Sequence, residues 1–527
     1  MKHRFLGSVV AAALMSTTVM AEGTMLQRFE AMEKEMNALK AELASMKAEK
    51  TAPVAAKKVV VEDDDEKPVK ATAGKVKVAV EKDDEEKSVP EQLEEIHDQL
   101  STLNKRTNGN AIKWDVDFRT SVDNIQYKMA DGSKQTNDAL FSNRLWLGMN
   151  YAATKHLSFT GQLAYNKIFG QRAVTTAPST TDGFDWVSGE SAYDDTLRVR
   201  SAYFFYQDDE FLGTDIPWTI SVGRRPSTVG HLINLRENDQ ASSPLAHTVN
   251  VEFDGASAKF GMEEVTGLAG SYFKLCAGRG MSEAEPRFNT GTPYAGDGSA
   301  KTNNIDMVGI IIVPYDDKQF SAGMQYTYAN NLIDNNQTNP VGAVMETVGG
   351  LHTATAFAMV NGIGDGWSDF LDDSLIFVSG AMSKTDPYHG TGKQGMLGSL
   401  DSKTGYSYWI GTQFPSLISD EGRWGAEFNH GSNYWRPITY GEDTLIGSKI
   451  ATRGNAYELY FTEPLVDDIL TFQLRYTYID YDYSGSNGFF GSTSGTPMSM
   501  DEARANGVGA NVVDHAQDIR AYIRYKF

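Results

Sequence analysis

The chain has 527 residues, with 69 Asp or Glu against 48 Lys or Arg and a formal charge of −21. That balance excludes nucleic-acid binding through a basic surface, and a single cysteine, Cys276, excludes an intrachain disulfide or a cysteine metal cluster. No apolar run after the first 21 residues is long enough to cross a bilayer as a helix, which excludes a helical membrane bundle. It does not exclude a transmembrane β-barrel, whose strands alternate apolar and polar residues and average out as hydrophilic.

The N-terminus opens on Lys2, His3 and Arg4, continues with a mostly apolar stretch from Phe5 to Met15, and reaches Val19-Met20-Ala21. Charge, apolar core and small residues at the end predict a secretory signal peptide over 1–21. Over 22–50, Met25, Phe29, Met32, Met36, Leu39, Leu43 and Met46 recur at alternating spacings of four and three. This is the seam of a coiled-coil helix, which buries only against other helices and so predicts a homo-oligomer. Residues 51–87 carry two acidic blocks and no apolar pattern, as in a disordered charged linker. A short helix is expected over 88–105, where Ser88 and Glu91 form a capping box ahead of Leu93, Ile96, Leu100 and Leu103.

From residue 112 the period changes to two. In the hairpin 141–151 and 157–165, Phe141, Leu145, Leu147, Met149 and Tyr151 share one face, with Ser142, Arg144 and Asn150 on the other. The pattern predicts strands at 112–128, 139–152, 157–169, 195–207, 217–226, 248–261, 270–280, 304–315, 318–330, 348–362, 370–384, 404–415, 421–434, 453–464, 468–483 and 516–527. Connections after even strands are short and those after odd strands mostly long. A soluble sandwich has no reason for this sorting. It is the plan of an all-β transmembrane antiparallel β-barrel of about sixteen strands over 112–527, with the 1–111 region on the periplasmic side and the long loops outside. The chain ends on an alternating strand closed by Phe527, which resembles the insertion signal of outer-membrane proteins.

Six stretches carry a further likeness: Asn143-Arg144-Leu145-Trp146-Leu147, Phe159-Thr160-Gly161-Gln162-Leu163, Leu197-Arg198-Val199-Arg200-Ser201-Ala202-Tyr203, Val222-Gly223-Arg224-Arg225-Pro226-Ser227-Thr228, Leu235-Arg236-Glu237-Asn238 and Phe253-Asp254-Gly255. Together they resemble a bacterial porin-like outer-membrane family of unknown function, domain of unknown function 3373. Gly230-His231-Leu232 stands where that family is expected to carry Gly-Pro-Pro. More loosely, the chain resembles the trimeric general porins. That resemblance implies a trimer and a third long loop, here 227–247, folded into the lumen.

No catalytic constellation emerges. The histidines at 231, 247, 352, 389, 430 and 515 lack the spacing of a zinc helix, and Gly491-Ser492-Thr493-Ser494-Gly495 has Thr where a nucleophile elbow needs Ser. No enzyme activity, metal or cofactor is expected. With apolar faces turned to lipid, Arg144, Arg198, Arg200, Arg225, Lys259, Lys274, Arg475, Arg520 and Arg524 point inward, against fewer inward acids at Asp115, Asp117, Glu252, Glu427 and Glu458. These cations either pair across a filled lumen or select solutes. The expected constriction sets Arg236, Glu237 and Asp239 of loop 227–247 against a basic wall of Arg198, Arg200 and Arg225, with Arg144 also lining the pore. The reading is a channel for passive diffusion of small hydrophilic solutes or ions, held in outer-membrane lipid. The alternative is a structural or adhesive protein acting through long acidic loops.

Overall fold

The computed structural model describes residues 112–168, 197–281, 304–335, 345–364, 366–389, 395–439, 446–484 and 496–527. The expected signal peptide, coiled-coil helix, linker and short helix lie outside the described residues. Sixteen long strands follow one another: β1 (Lys113–Met129), β2 (Lys134–Ala152), β3 (Leu157–Ile168), β4 (Arg198–Asp208), β5 (Trp218–Ser227), β6 (Val249–Gly261), β7 (Tyr272–Met281) and β8 (Ile305–Asp316). The second half has β9 (Phe320–Asn335), β10 (Met345–Asn361), β11 (Leu375–Pro387), β12 (Thr404–Pro415), β13 (Arg423–Gly431), β14 (Gly454–Val466), β15 (Leu470–Tyr481) and β16 (Val513–Lys526). Each pairs antiparallel with the next, and β16 returns to β1, with Asp117 opposite Lys526 and Thr120 opposite Ile523. The sheet therefore closes on itself and leaves no edge strand.

The expected strands are all present, with shifted ends. β2 begins at Lys134 rather than 139, because Asp131-Gly132 makes a tight hairpin turn in which Gly132 adopts φ +87°. An Asp-Gly pair is a strong hairpin signal, since such turns need a positive φ that only glycine adopts without strain. This makes 130–133 an exception among the long-loop connections, which include 228–248, 388–403, 432–453 and 482–512.

Burial follows the membrane pattern. On β11, Ile376, Val378 and Met382 are exposed while Ser379, Ser383 and Thr385 are buried; on β12, Tyr406, Tyr408 and Ile410 are exposed while Ser407 is buried. A protein solvated by water on its outside would reverse this arrangement; lipid outside and a polar interior require it. The inward-facing Arg, Asp and Glu side chains are covered instead by chain entering from the long-loop rim.

Candidate functional site: the barrel lumen

Residues 228–248, between β5 and β6, run through the barrel interior. The approach begins at Gly223, whose φ is +136° and where a Cβ would lie 2.3 Å from the Ala202 carbonyl oxygen, so only glycine fits. Beyond β5, Gly230–His231 and Ser242–Leu245 pair as short parallel strands around a helical turn, Ile233–Arg236. Leu232, Ile233, Leu245 and Ala246 pack against Ile311, Phe357, Phe377 and Trp409 from the wall. Apolar burial explains why this segment leaves water, but its backbone amides and carbonyls still need partners.

Inward glutamines on three strands supply several of them. Gln325 on β9 accepts from the Leu245 N–H at 2.8 Å and donates to Thr248 at 3.0 Å. Gln413 on β12 donates to the Leu235 carbonyl at 2.7 Å, and Gln473 on β15 to the Arg236 carbonyl at 2.9 Å. His247 is held between the hydroxyls of Ser379 and Ser407, at 2.8 and 2.9 Å, and burial pushes its imidazole down to about 3. His231, also buried in this segment, is pushed down to about 4 for the same reason.

A second stretch of chain, described over 432–439 and 446–453, enters beside it. Ile438–Thr439 pairs in parallel with Val249 and Asn250 of β6, and the Ile438 N–H donates to the Thr248 carbonyl at 2.8 Å. Trp435, Ile438, Ile446 and Ile450 are buried. The helical turn Lys449–Ala451 brings Lys449 to Glu427, at 2.6 Å, and to Glu458.

The charges on 228–248 meet this part of the wall. Arg236 reaches Glu458 at 3.2 Å; Glu237 accepts from Tyr522 and lies 3.7 Å from Arg475; Asp239 pairs with Arg524 at 3.0 Å and Lys526 at 2.6 Å. Arg524 continues to Asp117 at 2.6 Å, which pairs with Arg144 at 3.2 Å. From β13 round to β2, buried cations and carboxylates thus alternate in one network.

The opposite wall, β4 to β7, differs. Arg200 donates to Gln162 at 2.6 Å and to Thr228, and it stacks on the Trp146 ring with Arg144 on the same ring. Arg225 donates to Ser221 and Ser257, each at 2.5 Å, and faces the Tyr203 ring. Lys274 donates to Ser243 of the inserted segment at 2.5 Å, and Lys259 lies over the Tyr272 ring at 4.0 Å. Among the described residues, hydroxyls and rings hold Arg225, Lys259 and Lys274 on this wall.

A family model described as Protein of unknown function (DUF3373) matches residues 134–527. The chain belongs to this family. No curated protein matches it. Among solved structures, this DUF3373 protein is similar to OprB of Pseudomonas putida at 14% identity, over 81% of this chain and 97% of that one, with a TM-score of 0.43. The anion-selective porin of Comamonas acidovorans aligns at 10% identity, over 79% and 99%, with a TM-score of 0.42. OmpT of Vibrio cholerae aligns at 11% identity, over 79% and 97%, with a TM-score of 0.41. The DUF3373 chain is by its own strand pairing a closed antiparallel β-barrel of sixteen long strands.

The expected site residues fall into two groups in this DUF3373 barrel. Arg236, Glu237 and Asp239 do enter the lumen, but they do not face Arg198, Arg200 and Arg225. They pair instead with Glu458, Arg475, Arg524 and Lys526 on the far wall, because carboxylates taken from water need cations close by and those strands carry them. Arg144, Arg200 and Arg225 do point inward, whereas Arg198 is exposed at the start of β4, where an irregularity in the pairing with β3 breaks the alternation. Glu427, Glu458, Arg475 and Arg524 were legible as inward residues from alternation alone. Lys449 was not, since its segment reads as an outer loop. The signal there is composition: Trp435, Ile438, Ile446 and Ile450 have no reason to sit on an exposed loop. Asp480, Asp514 and His515 converge at the long-loop rim, but Asp514 is already held by Lys128 at 3.1 Å and Arg504 at 3.8 Å, and His515 lies 2.9 Å from Asp480, so contacts within the barrel account for the cluster.

Proposed function

We propose that this protein is a passive outer-membrane pore for small hydrophilic solutes or ions, narrowed by 228–248 and by 432–439 and 446–453. The observation that carries this is the pinning of 228–248 across the lumen by wall glutamines and ion pairs, which leaves one wall basic and the other charge-neutralised. A narrow low-dielectric passage with unequal walls focuses the field and sorts solutes by charge. Arg200 and Arg225 line the basic side, Arg144 stands where the two walls meet and is paired with Asp117, and Arg236, Glu237 and Asp239 set the width. The selectivity leans to anions.

The expected coiled coil at 22–50 supports a homo-oligomer, with a trimer as the reading, held in outer-membrane lipid with its N-terminal region periplasmic. Liposomes carrying the purified protein should swell in isosmotic solutions of small sugars and organic salts, at rates falling steeply with solute size. The filling of the lumen by two segments favours one other reading, a structural or adhesive barrel. Liposomes that stay silent although the barrel is folded would favour that reading over the pore.

A further inference from the structure

The basic wall contains a recess. Between Pro244 of the inserted segment and strands β5 to β9 lies a cavity of ≈ 40 Å³ open to water centres, lined by Arg225, Lys274, Ser257, Cys276, Met307 and Val249 among others. By the room one water needs, it takes a few waters or a short organic ion. Two features make it more than a packing gap. Lys259 and Lys274 stand directly opposite each other on β6 and β7, and like charges in that position destabilise a sheet. Arg225 adds a third cation close enough to repel Lys274. No described carboxylate lies within ion-pair distance of any of the three; the one that acts on Lys259, Asp316, sits at the short turn between β8 and β9. The partners they do have are the hydroxyls of Ser221, Ser257 and Ser243 and the rings of Tyr203 and Tyr272. None of these neutralises charge.

We propose that this recess is a binding subsite for a small organic carboxylate, its charged end between Arg225 and Lys274 and its hydrocarbon against Pro244, Val249 and Met307. A carboxylate supplies the missing negative charge, and a fully hydrated inorganic oxyanion gains nothing from the apolar lining. The proposal deepens the pore reading and rests on it only for the route by which the ligand arrives.

Cys276 lines the same recess and is the only cysteine in the chain, so it reports on the site without engineering. Its thiolate attacks the sulfenyl sulfur of a methanethiosulfonate reagent, forming a mixed disulfide and releasing methanesulfinate. On the full-length protein in detergent, a sulfonate-bearing reagent should react about tenfold faster than a trimethylammonium one of the same length, as a few ångströms from two unpaired cations implies. Butyrate should slow the reaction, and inorganic phosphate at equal concentration should slow it less. Lys274→Met should bring the two rates together and abolish protection by butyrate. Equal rates in the native protein, protection by phosphate alone, or a thiol inert to both reagents would overturn the site. Because none of these readouts needs ion flux, a charge-selective thiol in a barrel that conducts nothing would uphold the site and sink the pore.

Discussion

The two walls of the lumen use the same residue types to opposite ends. From β13 round to β2, Glu458 is shared by Lys449, Arg236 and Arg475, and Asp117 by Arg144 and Arg524. From β4 to β7, Arg225, Lys259 and Lys274 have hydroxyls and rings. A buried charge without an opposite partner is costly, so the first wall is built for holding chain in the lumen. The second keeps its positive potential for something that comes and goes. Burial and inward direction alone would not distinguish them; the identity of the partners does.

The largest effect should come from breaking the neutralised wall. Glu458→Leu leaves Lys449, Arg236 and Arg475 short of a carboxylate and should cost roughly 3–5 kcal/mol. It should lower the thermal midpoint in detergent, release both inserted segments to protease, and raise conductance. A variant as stable as the parent, with unchanged protease resistance, would mean the network does not hold the segments.

Acid should act next. Burial lowers His247 to about 3 and His231 to about 4, from an ordinary 6.5 in the unfolded chain. The folded form therefore keeps both neutral, and their contribution is whole above pH 6.5 and is lost as pH falls toward 4 and 3. At about 1.4 kcal/mol per unit for each group, the loss reaches several kcal/mol near the lower end. The midpoint should fall through that window, and His247→Gln should flatten the profile; an identical profile in the variant would exclude His247 as its source.

Gln473→Leu should cost about 1–3 kcal/mol, because the Arg236 carbonyl is left buried without its donor. Single-channel records should show added flicker from a looser constriction. Smallest of all in stability is Lys274→Met. Relieving the opposed lysines is worth within about 1 kcal/mol in the stabilising direction. Its mark should be on the current: the reversal potential in a salt gradient moves toward cations. Arg200→Ala should move it the same way, and Arg198→Ala less, since Arg198 is exposed at a strand end.

The same contrast explains what the sequence discloses. Strands are legible because alternation is local: Leu145, Leu147 and Met149 announce a lipid face within five residues. The inward residues of that face follow by parity. Which wall a loop meets is not local. Asp239 finds Lys526 and Arg524 only because β16 closes on β1, and no spacing along the chain encodes that meeting. Lys449 was hidden for a related reason, its segment being drawn in from the rim by apolar residues whose partners, Val249 and Met307 for Ile438 and Trp409 for Ile450, are remote in sequence.

Single-channel recording in planar bilayers tests the central claim most directly. A folded, detergent-purified preparation should give discrete conductance steps, with a reversal potential in a potassium chloride gradient on the anion side that Arg225→Met and Lys274→Met move toward cations. A folded barrel that gives no steps, or steps whose reversal potential ignores both substitutions, would contradict the account.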